Sequence, residues 1–198
     1  MKSPFTFLVV TTLLFNINSA DARDISPETI MISGDTSFDD NSIKMDMNNS
    51  TIRTDSTTLD LTGAYFIASN IGIGLIIGNA DTSTHYDSST TSSSTTMIGP
   101  MAIYSISLNP DFNIILSAGL YKISGDIDEG GGNSFDFDGD GVLIFGSISY
   151  FLNDNAAIYF GIRRTDADID MKSKFLANPA VSATMSDNSN TIGLSFYF

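Results

Sequence analysis

The residues of this chain that could carry out catalysis are few and lie in polar segments. His85 is the only histidine, and it stands in DTSTHYDSSTTSSSTT, near Asp81, Asp87 and many serines. Serine, histidine and aspartate are the groups of a nucleophilic triad, which must be held in one geometry. A low-complexity segment of Ser and Thr provides no such geometry. We therefore expect a solvated His85 and no catalytic residue, and the alternative is a lipid-modifying or peptide-cleaving enzyme that uses His85.

A second candidate is the acidic segment DFDGDG, which spans residues 136–141. Asp136, Asp138 and Asp140 recur at every second position before a glycine, as in the first half of a calcium-binding loop. Ser147 occupies the position at which such a loop has its bidentate Glu. The three carboxylates are thus weak candidates for a divalent cation site, and a solvated acidic loop with no cofactor is the interpretation we favour.

Composition excludes several classes of protein. The 198 residues include 23 acidic and 9 basic ones, for a formal net charge of −14. Such an excess of acid argues against nucleic acid as a partner, because binding phosphates requires basic patches. The absence of cysteine excludes disulfides, thiolate nucleophiles and Cys-ligated zinc.

The N-terminus has the pattern of a secretory signal peptide. Lys2 precedes the apolar run FTFLVVTTLLF, and Ala20-Asp21-Ala22 fits a small-x-small cleavage site. We predict a signal peptide over residues 1–22, cleaved after Ala22, and one domain over residues 23–198. An N-terminal membrane anchor is the alternative. No later stretch has the roughly 18 continuous apolar residues of a transmembrane helix.

Three blocks of the chain are nearly free of charge, and each is divided by a turn signal. The dividing segments are IASN, LNPD and LNDN, and each flank has about ten residues with partial alternation of apolar and polar side chains. Each block therefore predicts a hairpin. With ETIMISGDTSF at one end and NTIGLSFYF at the other, the count is eight strands. Three connections are short and four are long, roughly residues 39–55, 81–96, 125–140 and 166–189.

This layout is typical of an all-β, eight-stranded antiparallel up-and-down transmembrane β-barrel. In the third strand one face is Ile71, Ile73, Leu75 and Ile77, and the other is mostly glycine. A continuous aliphatic face opposite small residues favours a barrel with lipid outside. A secreted, soluble, lipocalin-like ligand carrier is the alternative, and it would need a polar outer face.

The hairpins and the last strand also resemble a known family. GAYFIASNIGIGLIIG, SYFLNDNAAIYFGI and the terminal TIGLSFYF resemble the small outer-membrane β-barrel proteins of the OmpA-barrel and OmpX type. The resemblance implies location in the cell outer membrane of a Gram-negative bacterium, in contact with lipid and lipopolysaccharide. It also implies that the outer-membrane assembly machinery reads the final strand, through Ile192, Leu194, Phe196 and Phe198. Because the chain stops at this strand, we expect no peptidoglycan-binding domain.

Two charge patterns complete the expectations. Arg163 is predicted to point into the lumen and to pair with Asp35 or Asp60, which would plug the barrel, whereas Arg164 would point outward towards lipopolysaccharide phosphates. The four long connections hold 16 acids and four bases, so the outer rim should repel anions and attract divalent cations or basic surface ligands of a host. An eight-stranded barrel is narrow enough for side chains to fill it. We therefore do not expect an open porin. We expect a porin-like surface barrel with a non-enzymatic structural or surface-interaction role, and the enzymatic alternative is a lipid-A-modifying or protease-type barrel.

Overall fold

Eight antiparallel strands form one closed ring in the computed structural model, which describes residues 23–39, 52–86, 89–130, 133–173 and 181–198. Each strand pairs with the next, and the last pairs with the first. The predicted fold class is therefore confirmed. The strands are β1 (Ile30–Asp39), β2 (Ile52–Ala68), β3 (Ile71–Tyr86), β4 (Ser89–Asn109), β5 (Phe112–Gly130), β6 (Asn133–Asn153), β7 (Ala156–Ser173) and β8 (Val181–Tyr197).

Three predictions concern residues that the structure does not describe. The proposed signal peptide (residues 1–22), residues 40–51 of the predicted connection 39–55, and Asp87 all lie outside the described ranges. Within those ranges, no helix is long and apolar enough to cross a membrane.

The strands are longer than the sequence pattern predicts. We expected about ten residues in each, but β4 and β6 have 21 residues and β7 has 18. Most of the predicted loops 81–96, 125–140 and 166–189 are consequently strand, and that part of the prediction is wrong. The loss of apolar residues predicts the end of a strand, but in these segments it marks only the end of the apolar belt. Beyond a membrane the main-chain ladder continues, because outward-facing polar side chains are then solvated by water at no cost.

The outward face carries a belt of large apolar side chains. It includes Ile73 on β3, Leu120 on β5, Ile144 on β6 and Ile162 on β7, each at least half exposed. A water-soluble barrel needs the opposite arrangement, so the soluble carrier is not favoured. Such an apolar belt around a closed barrel is what a hydrocarbon layer requires, since closure of the ring leaves no unpaired edge strand within it.

Closure of the ring uses the last residue of the chain. The Phe198 N–H donates to the Ile30 carbonyl (2.9 Å), and the Ile30 N–H donates to the Phe198 carbonyl (3.0 Å). The register then continues through Asp35, which lies opposite Gly193 on β8 and opposite Asp60 on β2. Closure therefore brings the N-terminal and C-terminal strands together around two acidic residues.

Candidate functional site

A layer of charged and hydroxyl groups crosses the middle of the lumen, formed by Asp35, Asp60, Tyr159 and Arg163. Arg163 extends from β7 and forms an ion pair with Asp60, while its guanidinium lies 3.7 Å from the Asp35 carboxylate. The Tyr159 hydroxyl donates to the other Asp35 oxygen at 2.7 Å. All four side chains are buried. The structure thus brings together the three residues predicted to face each other in the lumen and adds Tyr159 to them.

Glycines in neighbouring strands make room for this charged layer. A Cβ on Gly78 of β3 would collide with Asp60 Oδ1 and would stand 2.7 Å from the Met97 methyl carbon. A Cβ on Gly193 of β8 would stand 2.5 Å from the Tyr159 hydroxyl, which passes over Gly193 to reach Asp35. The glycine-rich inner faces therefore accommodate large side chains from other strands.

The charged layer separates two cavities. On the side of the short turns, which is the periplasmic side in bacterial outer-membrane barrels, the lumen retains a cavity of about 30 Å³. It is lined by Asp35, Tyr159 and Arg163 together with apolar and serine side chains. On the other side is a vestibule of about 310 Å³, lined by Asp60, Arg163, Asp187 and residues of β2 to β5. A cavity of 30 Å³ has room for about one water molecule. The charged layer therefore lies between these two cavities, and Arg163 lines both of them.

The charged layer contains more acid than base. Two carboxylates face one guanidinium, and neither oxygen of Asp60 has a hydrogen-bond partner among the described residues. An ion removed from water is stabilised mainly by its counter-ion, so loss of the single cation would leave two uncompensated charges. The stability of the two buried carboxylates therefore depends on Arg163.

A second cluster of carboxylates lies on the outside, where strands β5 to β7 extend beyond the apolar belt. We call this surface the acidic wall. Directly opposite positions hold two acids in three cases, Asp126–Asp136, Asp138–Asp170 and Asp140–Asp168. Side chains of such pairs stand about 4.5–5.5 Å apart at Cβ, so the like charges repel. The members of the wall are Asp126, Asp128, Asp136, Asp138, Asp140, Asp166, Asp168 and Asp170, all on the outward face.

The bases of the acidic wall are each matched to one of its carboxylates. Lys122 lies 3.9 Å from Asp140, and Lys172 lies 3.4 Å from Asp138. Arg164 points outward as predicted and donates twice to Asp166, at 2.8 and 3.1 Å. The hydrogen bonds from Arg164 lower the pKa of Asp166, and the carboxylate of Asp166 also accepts from the Ser186 hydroxyl. The predicted contact of Arg164 with lipopolysaccharide phosphates therefore competes with an existing partner.

The candidate metal ligands do not form the loop that the sequence suggested. Asp136, Asp138 and Asp140 lie on one face of β6, with side chains two residues apart along an extended strand. At about 3.3 Å per residue, neighbouring carboxylates start about 6.6 Å apart, too far to enclose one ion as a calcium loop does. Across the described ranges, no group of three or more acidic or histidine side chains is placed to hold a metal.

The opposite side of the barrel, above the belt on β2 to β4, is a hydroxyl wall. Its outward face carries Thr57, Asn79, Ser83, Ser92, Ser94 and Thr96, with Asp81 as the one acid among the described side chains there. His85 lies on this wall, exposed, with its Nδ1 atom 3.0 Å from the Thr90 hydroxyl. Asp81 and Ser83 share its strand face at two-residue spacing, about 6.6 Å per step. This arrangement is not that of a catalytic triad.

The final strand presents its four predicted recognition residues outward. Ile192, Leu194, Phe196 and Phe198 alternate with the inward Thr191, Ser195 and Tyr197, and Phe198 is 69% exposed. This face is available to lipid or to another protein. Its recognition by the assembly machinery stays a prediction.

Comparison with known proteins identifies the family. The model of the outer membrane protein β-barrel domain family matches residues 10–198. The chain belongs to this family. No curated protein matches the chain by sequence.

Three solved structures share the fold of this outer-membrane barrel at low sequence identity. The outer membrane protein OprG from Pseudomonas aeruginosa is 16% identical, with a TM-score of 0.59, over 90% of this chain and 99% of OprG. Neisserial surface protein A is 14% identical, with a TM-score of 0.60, over 85% and 97%. The N-terminal β-barrel domain of Pseudomonas aeruginosa OprF is 12% identical, with a TM-score of 0.55, over 88% and 100%. At these identities the likeness concerns the fold alone.

Sequence reasoning missed several residues of the site. Tyr159 is absent from the predicted site, although its inward position follows from the alternation that places Arg163 inward four residues later. The role of Gly78 and Gly193 cannot be recognised from the sequence around them, because the side chains that they accommodate come from other strands. The three Asp–Asp pairs required knowledge of the strand register.

Proposed function

We propose that this chain is a non-enzymatic outer-membrane barrel that acts through the surface it exposes outside the cell, and that its acidic wall binds basic partners. The observation that carries the proposal is the contrast between a lumen filled at the level of Arg163 and an outer surface with an unusual density of carboxylates. A filled lumen offers no route for solutes, whereas the surface offers a strong electrostatic field.

Charge supports the choice of partner. The acidic wall has eight carboxylates and three bases, and three of its cross-strand pairs oppose acid to acid. Because like charges placed opposite each other cost about 0.2–1 kcal/mol each, the arrangement does not serve stability. A cationic protein segment would relieve this repulsion and would be steered to the surface by the field.

The environment of His85 gives no support to an enzymatic role. Its observed partner is Thr90, and its neighbours on the strand face are too far apart for proton relay. A histidine in such a place is an ordinary exposed residue.

The proposal is tested by binding of a fluorescent octalysine peptide to the folded protein in vesicles of zwitterionic lipid. In the test variant Asp138, Asp140, Asp168 and Asp170 are changed to Asn. The matched control changes Ser92, Ser94 and Thr96 of the hydroxyl wall to Asn. We expect the test variant to bind about tenfold or more weakly than the parent, and the control to bind as the parent does.

Salt provides the second arm of this experiment. Binding of the peptide to the parent should weaken steeply between low and physiological ionic strength, since exposed charges are screened over about 8–10 Å. Equal binding by parent and test variant, or binding that is indifferent to salt, would contradict the assignment of the acidic wall as the interaction surface.

A further inference from the structure

A short segment before the first strand crosses the periplasmic mouth of the barrel. Arg23, Asp24, Ile25 and Ser26, which we call the strap, precede β1 and have no strand partner. They start immediately after Ala22, the residue after which cleavage is predicted. Their contacts are numerous for a segment that would become the N-terminus after the predicted cleavage, since terminal residues are usually ordered only where something holds them.

The strap is tied to the first hairpin through Asn70. The Asn70 side chain accepts from the Ile25 N–H (2.8 Å) and donates to Asp24 Oδ1 (2.7 Å), while its own N–H donates to the Ile25 carbonyl (2.9 Å). Asn70 has a positive φ of 65°, a conformation that Asn tolerates better than most residues. The turn between β2 and β3 thus presents three hydrogen bonds to the strap.

The other two hairpins hold the strap as well. On the second, the Ser107 hydroxyl and the Asn113 amide both donate to the Arg23 carbonyl. On the third, the Arg23 guanidinium donates to the carbonyls of Asn153 and Asp154, and it lies 4.3 Å from the centre of the Phe151 ring. The strap therefore contacts all three hairpins of the barrel.

Ile25 is the residue that the strap inserts into the barrel. It is 5% exposed and belongs to the cluster of buried apolar side chains, together with Met31, Phe66, Ile103 and Phe151. Burial of an isoleucine side chain removes apolar surface from water and so favours docking of the strap. The strap thus combines an apolar anchor with hydrogen bonds to three separate turns.

From these contacts we propose that the strap is a plug that seals the periplasmic mouth and cross-ties the three hairpins once the barrel has closed. Because its partners come from three hairpins, the docking site is complete only when those hairpins stand side by side. The strap is therefore the last element to dock. Its release opens the part of the lumen between the periplasmic mouth and the charged layer, and it leaves the charged layer closed. This inference goes beyond the proposed function and does not depend on the acidic wall.

Thiol labelling tests the seal, because the chain has no native cysteine. Ser149 is 1% exposed and is the next inward residue of β6 after Phe151, so Ser149→Cys reports access from the periplasmic mouth. Ser189 is 2% exposed and lies opposite Arg163, so Ser189→Cys reports access at the charged layer. Both reporters are treated with a small, charged methanethiosulfonate reagent in detergent-folded protein.

Two variants release the strap by different means. Ile25→Asn removes the apolar anchor, and Asn70→Gly removes the side-chain hydrogen bonds while keeping a residue that accepts a positive φ. We expect either variant to speed labelling of Ser149→Cys by about tenfold or more, as a loss of ~1.4 kcal/mol of docking free energy would. Labelling of Ser189→Cys should stay at the parent rate. Ser26→Ala, an exposed position within the strap, should leave both rates unchanged.

Three results would overturn the proposal. One is rapid labelling of Ser149→Cys in the parent, which would show that the mouth is open with the strap in place. Another is an unchanged rate in both Ile25→Asn and Asn70→Gly. The third is a parallel rise at Ser149 and Ser189, which would indicate a loosened barrel. Heat-modifiable gel mobility verifies that each variant is folded, and Asn70→Gly decides the question if Ile25→Asn does not fold.

Discussion

The same residue type, aspartate, has opposite roles in two regions of this barrel. In the charged layer, Asp35 and Asp60 are buried and share one cation, so each charge depends on a precise partner. On the acidic wall, Asp138 and Asp168 stand in water, where screening makes each pairing weak. The difference shows that burial decides whether a carboxylate determines the stability of the fold or is available for binding.

Removal of the buried cation should have the largest effect. Arg163→Met keeps the length of the side chain but leaves Asp35 and Asp60 without a counter-ion. We expect the free energy of unfolding to fall by about 3–5 kcal/mol, the usual cost of breaking a buried pair by removing one partner. The free energy of unfolding is measured by urea titration of the protein in lipid vesicles. Unfolding is followed by circular dichroism or gel mobility, because the chain has no tryptophan whose fluorescence could report it.

The matched control for Arg163→Met removes the carboxylates together with the cation. The triple variant with Asp35→Asn and Asp60→Asn should recover much of the lost stability, because no buried charge then remains. A single variant as stable as the parent would show that the charged layer does not stabilise the barrel.

Crowding of the charged layer should have the next largest effect. Gly78→Ala would drive a methyl group into Asp60 and Met97, and overpacking of this kind costs about 1–3 kcal/mol. Gly63→Ala is the control, since a Cβ there meets nothing within 4 Å. Equal stability of the two variants in the same urea titration would mean that the side chains around Gly78 pack less tightly than the structure indicates.

The acidic wall should respond weakly and in the opposite direction. Asp168→Asn removes the repulsion with Asp140 and keeps an oxygen to accept from Thr184. The free energy of unfolding should rise by about 0.2–1 kcal/mol at low salt and return to the parent value in high salt. A loss of stability as large as that of Arg163→Met would show that the acidic wall contributes to the stability of the fold as much as the charged layer does.

The smallest expected effect is on the pKa of Asp166, which pairs with Arg164 on the acidic wall. With Arg164 present, the pKa of Asp166 is lowered, so any stability from this pair is present above the unfolded pKa and is lost as pH falls through the folded one. Arg164→Gln should raise the pKa of Asp166 towards its usual value, in a carbon-13 NMR titration of the carboxyl group. An unchanged pKa would mean that the two side chains do not pair in solution.

The two regions also differ in how far the sequence predicts them. Alternation placed Arg163, Asp35 and Asp60 on inward positions, because the period of a strand is two and the apolar face identifies the outside. The same logic failed for DFDGDG, where no apolar residue marks the outward face and the segment was read as a loop. The pairing of Asp138 with Asp170 depends on register, which a single strand does not encode.

The strap shows the limit of local reasoning. Nothing in RDIS, residues 23–26, distinguishes it from an ordinary terminal tail, since its partners Asn70, Ser107 and Phe151 lie 45 or more positions away in the sequence. Hairpins and their turns are short-range features and were predicted correctly. Contacts that form only after closure of the ring were not.

The proposed function rests on the claim that the barrel is filled at the charged layer and does not conduct. Planar-bilayer recording of the folded protein tests it most directly. The claim predicts no discrete current steps for the parent at moderate voltages, with the strap docked or released, because the charged layer persists in both states. Stable, stepwise openings of the unmodified protein would contradict it.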